Sequence, residues 1–327
     1  MREPRDPDVV SPTMLRIEAS SHCQLRCPSC PTTTGAIDGA IGRGFLRVEK
    51  FRELLERNPQ IRVVELSNYG EILLNPELIR ILELSRELGV LLTAGNGVNL
   101  NHLSDEVAEA LVRCGLHTMT CSIDGASEST YQQYRVRGSF EKVIANIRKI
   151  NHYKRRYESE FPHLIWQFVA FGHNEHEIPT ARSLASDLNM EFRVKLTWDD
   201  GFSPVHDAES LRAASGVGAA SRDEYRHLNE GRDYQENICH QLWDQPQINS
   251  DGRVLGCCRN FWMNFGGNAF DDGLQEALNH ETMRYARRML TGRAEPREDI
   301  PCTTCDLYLN MRAAGRRIER PEDPLQK

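Results

Sequence analysis

A chain of 327 residues has room for one large domain, or for a large domain with a small companion. Its formal net charge of −7, from 47 acidic and 40 basic side chains, argues against a nucleic-acid backbone as the main partner. The first thirty residues hold no apolar run of signal-peptide type and no stretch reaches the roughly twenty apolar residues that span a bilayer, so a cytoplasmic protein with no membrane partner is expected.

Residues 1–12 read as a flexible end. From 13 to 200 short apolar runs alternate with amphipathic patterns, and strands are predicted at Met14–Ile17, Val63–Ser67, Leu91–Gly95, Thr118–Ile123, Leu164–Ala170 and Arg193–Leu196. Between them Leu78, Ile81, Leu82 and Leu88 recur at helical spacing, as do Phe140, Val143, Ile144 and Ile147. Strand–helix units in succession predict an α/β fold with parallel strands. Six strands are too few for the closed eight-stranded barrel, so a partial (β/α)6 barrel is expected, with its chemistry at the carboxyl ends of the strands. Residues 201–236, polar and without a strand pattern, read as a linker with some helix. Residues 237–310 read as a small cysteine-rich α+β module with a hairpin at Gln247–Asn249 and Arg253–Leu255 around Ser250-Asp251-Gly252, then one helix near Leu274–Leu290. Residues 311–327 read as a charged tail.

Ten cysteines are many for a chain in a reducing compartment, where disulfides are rare, and their clustering favours metal or cluster ligation. Cys23, Cys27 and Cys30 form a C-x3-C-x2-C loop just after the first strand. Three thiolates on such a loop can hold an iron–sulfur cube and leave one iron open, whereas a closed zinc site wants a fourth protein ligand, and none lies nearby. Further along the chain Asn68-Tyr69-Gly70-Glu71, Gly95-Asn96-Gly97, Ser122-Ile123-Asp124-Gly125 and Arg135-Val136-Arg137-Gly138 follow the second, third and fourth strands.

Together with the cysteine loop, and in this order, these segments resemble the radical S-adenosylmethionine (SAM) superfamily over residues 13 to about 200. Tyr69 stands where the family has the first glycine of its Gly-Gly-Glu motif. The resemblance implies a [4Fe–4S] cluster on Cys23, Cys27 and Cys30, with SAM held by Gly70, Glu71, Asn96, Ser122, Asp124 and Arg137. It also implies reductive cleavage of SAM to a 5′-deoxyadenosyl radical, which takes a hydrogen atom from a substrate, and a reducing protein partner such as a flavodoxin or ferredoxin.

In the second half, Cys239 and Cys257 flank the hairpin and Cys302-Thr303-Thr304-Cys305 adds a C-x2-C pair. Four thiolates suit either an iron–sulfur cluster or structural zinc. The spacing resembles the auxiliary-cluster modules called SPASM and, in shortened form, twitch. It implies a second [4Fe–4S] cluster on Cys239, Cys257, Cys302 and Cys305. Cys258, directly after a ligand, is an inert thiol, an alternative ligand or a hydrogen-atom donor to a substrate radical; Cys114 and Cys121 are expected to be buried and structural. His173-Asn174-Glu175-His176-Glu177 is expected at a helix entrance rather than on a metal. Arg193, Lys195, Trp198, Asp199 and Asp200 form either a substrate rim or a solvated loop.

Within the family the layout is most similar to twitch enzymes such as 2-deoxy-scyllo-inosamine dehydrogenases and aminoglycoside epimerases, and no extra leader-peptide-binding or cobalamin domain is apparent. The expected activity is oxidation or epimerisation at a carbinol carbon of a small polar natural product (a sugar, cyclitol, aminoglycoside or nucleoside). Maturation of a ribosomal peptide is the alternative, and a cluster- or zinc-stabilised binding module without activity is the reading from another class.

Overall fold

The apolar runs fold as strands in the order expected. The computed structural model describes residues 6–319, and β1 (Met14–Ile17), β2 (Val63–Glu65), β3 (Leu91–Val98), β4 (Thr118–Ser122), β5 (His163–Ala170) and β6 (Glu191–Leu196) lie side by side in chain order. Each runs parallel to the next, with Met14 opposite Val63 and Ile165 opposite Glu191. Parallel strands need crossovers, and helices provide them. Leu78–Leu88 buries Leu78, Ile81, Leu82 and Leu84 against the sheet and stops at Gly89 in the left-handed conformation. Phe140–Arg156 starts at Ser139, whose side chain accepts from the Lys142 amide, and buries Val143, Ile147 and Ile150. The result is the partial barrel, with β6 at its open edge.

The cysteine-bearing region adds to the other edge. β7 (Gln247–Ile248) pairs parallel with β1, and β8 (Val254–Gly256) returns antiparallel beside β7. The turn between them depends on Gly252, whose φ of +91° disfavours any side chain and whose added Cβ would sit 2.1 Å from Asn268 Oδ1. The hairpin was legible; its place in the sheet was not, because that pairing joins residues more than two hundred positions apart.

Two expectations change. The helix read as Leu274–Leu290 is two, Leu274–Leu278 and Glu281–Leu290. At the break Asn279 exchanges two hydrogen bonds with the Val10 backbone (2.8 and 2.9 Å), and Arg287 donates to the Leu278 carbonyl (2.9 Å), so the interrupted end is satisfied. In residues 201–236 the helix read in that stretch takes the form of two short segments, Ala208–Ala214 and Arg222–Leu228, capped by Asp207 and Ser221. The ends are also tied down where they are described. Asp8 is buried against Arg288 and Arg293, Arg287 donates to the Asp8 carbonyl (2.8 Å), and the Ile318 amide donates to Leu290 (3.0 Å). The flexible start therefore does not extend to Asp8, nor the loose tail back to Ile318; the expectations for 1–5 and 320–327 lie outside the described residues.

Candidate functional site

Buried carboxylates fasten the loops that leave the sheet at its carboxyl end. Glu18, just past β1, accepts from the Tyr69 and Gly70 amides (3.0 and 3.2 Å); Glu65, ending β2, accepts from Ser67 and Gly95 (3.0 and 2.7 Å). Glu71 accepts from Asn99 and Leu73 (2.6 and 3.1 Å), and Asp124, past β4, accepts from Val169 on β5 (2.8 Å) and from Arg135 (2.7 Å). These carboxylates take up backbone amides at the strand ends and in the loops that follow, and Asp124 holds the Arg135 guanidinium as well. Burial pushes Glu18 and Glu71 up to about 7, against the pull of those same amides.

These loops surround a cavity of about 800 Å³. Gly70, Glu71, Asn96 and Ser122 line it beside Cys23, Cys27 and Cys30, so four of the six residues expected at SAM share a wall with the three thiols. The other two do not. Asp124 is fully buried behind the wall and acts on it through Arg135. Arg137 is exposed, with a φ of +71° that turns it out of the loop; the cation lining the cavity is Arg135. The Arg-x-Arg spelling of the segment is ambiguous, and only the backbone conformation decides between them.

Gly70 shows why this loop needs a glycine: a Cβ there would lie 1.8 Å from the Ser20 carbonyl oxygen. Tyr69 keeps that close approach because its side chain leaves for the other module. Its hydroxyl donates to the Arg259 carbonyl (2.7 Å) and its ring meets Phe261 edge-on at 5.7 Å.

The two sets of thiols gather at different places, with Cys305 alone of the second set also lining the large cavity. Cys23, Cys27 and Cys30 pack with Leu25, Tyr134 and Phe171 in one small apolar cluster. Asn99 Nδ2 donates to the Cys23 sulfur (3.6 Å) and Arg135 Nη1 to that of Cys27 (3.8 Å). Burial pushes Cys23 up to about 12, helped by Glu71; burial raises Cys27 too, with Arg135 opposing. Cys239, Cys257, Cys302 and Cys305 line a second, smaller pocket with Leu242, Trp262 and Leu290. Burial raises all four, Cys257 to about 12; neighbouring thiols add to the rise at Cys239, Cys257 and Cys302, and Asp306 adds to it at Cys305. Thiols held like this become thiolates only beside positive charge, which iron supplies, and both donor sets fit iron–sulfur clusters. Among the described residues no group of three or more His, Cys, Asp and Glu side chains forms a ready single-ion site. A closed zinc site would draw its sulfurs to ~4 Å of one another, from bonds of ~2.3 Å.

Cys258 lines the large cavity, not the four-thiol pocket, and its amide donates to Gln241 (2.8 Å). Cys121 is buried in β4, while Cys114 is only half-buried at a helix end. His173–Glu177 does enter a helix, and its carboxylates hold loops: Glu177 takes the Ala126 amide and the Ser127 and Thr130 hydroxyls, Glu175 the amides of His206 and Asp207. Of the β6 group, Lys195 and Trp198 line the cavity; Arg193 folds onto Glu191, and Asp199 accepts from Ser29 in the cysteine loop. Sequence reasoning chose Arg137 over Arg135 within one segment and missed Asn99, Gln167, Gln235 and Arg259, which carry no motif and meet here only through the fold.

A parallel partial barrel with a three-thiol loop and polar strand ends around one cavity defines a class of enzyme, and comparison with known proteins names it. Residues 17–180 match the model of the radical SAM superfamily, and the chain belongs to that superfamily. Residues 239–306 match SPASM, an iron–sulfur cluster-binding domain. The cofactors are accordingly SAM and [4Fe–4S] clusters. The chain is similar to the AdoMet-dependent heme synthase of Methanosarcina barkeri (26% identical over 54% of this chain and 48% of that one) and to the GTP 3',8-cyclase of Petrotoga mobilis (25% over 93% and 85%). It thus spans about half the length of the first relative and most of the second. Among solved structures it resembles Streptococcus suis SuiB bound to S-adenosylmethionine (TM-score 0.64, 15% identical, 92% of this chain and 72% of that one) and anSMEcpe with bound AdoMet (0.56, 16%, 91% and 87%). BtrN in complex with AdoMet and 2-DOIA follows (0.50, 14%, 90% and 93%). At these identities the structural likeness speaks for the fold alone. No described helix is long and apolar enough to cross a membrane.

Proposed function

We propose that the enzyme oxidises or epimerises a carbinol carbon of a small polar natural product (a sugar, cyclitol, aminoglycoside or nucleoside). The observation that carries this reading is one cavity lined by Cys23, Cys27 and Cys30, by Cys258 and by the edge of the four-thiol pocket, with Cys305 and Arg259 common to both spaces.

Cys23, Cys27 and Cys30 would hold the first cluster, and Gly70, Glu71, Asn96 and Ser122 SAM; Cys239, Cys257, Cys302 and Cys305 would hold one auxiliary cluster. When bound, these groups supply a 5′-deoxyadenosyl radical and a one-electron acceptor. The protein's own part is positional. Asp124 fixes Arg135 against Cys27, Glu71 fixes the loop at Asn99, and Leu25, Tyr134 and Phe171 screen the thiol loop from water. A substrate carbon radical has two balanced exits. Loss of one electron and the hydroxyl proton gives a carbonyl. Transfer of the Cys258 S–H hydrogen to carbon gives the inverted alcohol and a sulfur radical, which one electron from a reducing protein of the flavodoxin or ferredoxin type and one proton from solvent restore to the thiol.

The second reading is maturation of a ribosomal peptide. SuiB has been solved bound to precursor peptide SuiA, and the present cavity is wide enough to admit a side chain. Incubating reduced, reconstituted enzyme with candidate sugars, cyclitols and peptides in deuterated water separates the outcomes. A product lighter by two mass units indicates oxidation, and one solvent deuterium in a redox-neutral product indicates epimerisation. Turnover of peptides alone would overturn the small-molecule reading.

A further inference from the structure

β6 brings an uncompensated charge to the cavity. Phe192 and Val194 pack on the core, so the alternate residues Glu191, Arg193 and Lys195 share the other side of this edge strand. Arg193 is held by Glu191 (2.5 and 3.0 Å). Lys195, at the carboxyl end, lines the cavity, and among the described residues its ammonium makes no hydrogen bond and has no carboxylate within 4.0 Å. The other cavity cations are paired: Arg135 with Asp124 and Cys27, Arg259 with Asp306 through two bonds of 3.1 and 2.5 Å.

The surroundings of Lys195 deepen the imbalance. Arg222 adds a second positive charge near it, donating to Gln235 (2.7 Å) and to the Leu196 carbonyl (3.3 Å), with the Arg222 Nε buried and unpartnered; Asp200, Asp233 and Asp306 are in the neighbourhood of Arg222, none at ion-pair distance. Gln235 Oε1 also accepts from Arg259 (3.1 Å), which leaves its amide N–H as a donor on the cavity wall. Trp198 stands on the same wall, 43% exposed, as an aromatic face. Burial first, and then Arg222, pull the Lys195 ammonium below the ordinary lysine range. A half-buried ammonium without a counter-ion is costly, and an incoming anion removes that cost.

We propose that this wall is a subsite for an anionic group of the substrate, a carboxylate or a phosphate, with Lys195 as counter-ion, Gln235 as neutral donor and Trp198 as the face for the ring that bears it. The proposal rests on the cavity being the substrate site. It sorts the substrate classes, because an aminoglycoside brings ammonium groups to a wall already short of negative charge.

Isothermal titration of anaerobically reconstituted, SAM-saturated enzyme with glucose 6-phosphate, glucuronate, glucose and glucosamine tests it. At least one acid should bind about tenfold or more tightly than glucose, as expected for one charge-assisted contact, with glucosamine weakest. The stronger acid tells phosphate from carboxylate. Lys195→Met should erase the preference for the acid while glucose binding stays the same, and Lys195→Arg should restore most of it; iron content and melting temperature check folding. Should the methionine variant lose its clusters, the charge preference of the wild type decides alone. Failure of the wild type to bind either acid, equal binding of acid and glucose, or tight binding of glucosamine overturns the subsite. A subsite that behaves as stated in an enzyme giving neither oxidised nor inverted product overturns the proposed reaction instead.

Discussion

Cys257 and Cys258 are neighbours in the chain and face different spaces, the first the four-thiol pocket and the second the substrate cavity. That division ties one residue to one outcome. Cys258→Ala should still form 5′-deoxyadenosine but no inverted product; unchanged product from this variant would make Cys258 an inert thiol and favour the oxidation exit. Gly70 carries a structural prediction. An added Cβ meets the Ser20 carbonyl at 1.8 Å, and the loop has little room to shift because the Glu71 amide donates to the His22 carbonyl (2.8 Å). Gly70→Ala should cost about 3 kcal/mol and weaken SAM binding together; calorimetric melting and SAM titration check both, and a variant that melts and binds like the parent would show that the loop yields. At this scale the sequence revealed what covalent spacing dictates, the cysteine loop and the Gly-Glu pair. It did not reveal that Arg135 rather than Arg137 enters the cavity, because that depends on the left-handed backbone at Arg137.

Elements were legible where the apolar pattern is local. β1 begins and ends where the run Met14–Ile17 does, and the later strands differ by a few residues at their ends. The break at Asn279 and the docking of β7 on β1 were not legible, since both are decided by partners far along the chain: the Val10 backbone in one case, Arg16 opposite Gln247 in the other. Strand ends also carry the pH response. Burial holds Glu18 at about 7 against its ordinary 4.5, so folding favours its protonated form. That contribution is complete below 4.5 and is lost as pH rises through about 7, by up to about 3 kcal/mol. The cluster-free protein should therefore melt at lower temperature as pH rises across that window, and Glu18→Gln should flatten the slope. A slope unchanged in the variant would assign the response elsewhere; Glu71, raised in the same way, is the next group to test.

For the whole molecule, the cavity exists because the C-terminal module closes over the barrel mouth. Tyr69 reaches the Arg259 carbonyl, Asn249 reaches Ile41 (2.8 Å), and Arg16 reaches Gln247 (3.3 Å), so barrel and module share a core and a sheet. Removing one cluster should leave that core standing. Anaerobic reconstitution should load about eight irons per chain, and the variant carrying Cys23→Ala, Cys27→Ala and Cys30→Ala about four, with a melting temperature near the parent's. One zinc with only four irons in the parent would contradict the auxiliary cluster. The most direct test of the central claim is the amount of 5′-deoxyadenosine that this triple variant forms from SAM under reducing conditions. None above background is predicted, from protein that remains folded; formation at the parent's rate would contradict the assignment of SAM cleavage to these three thiols.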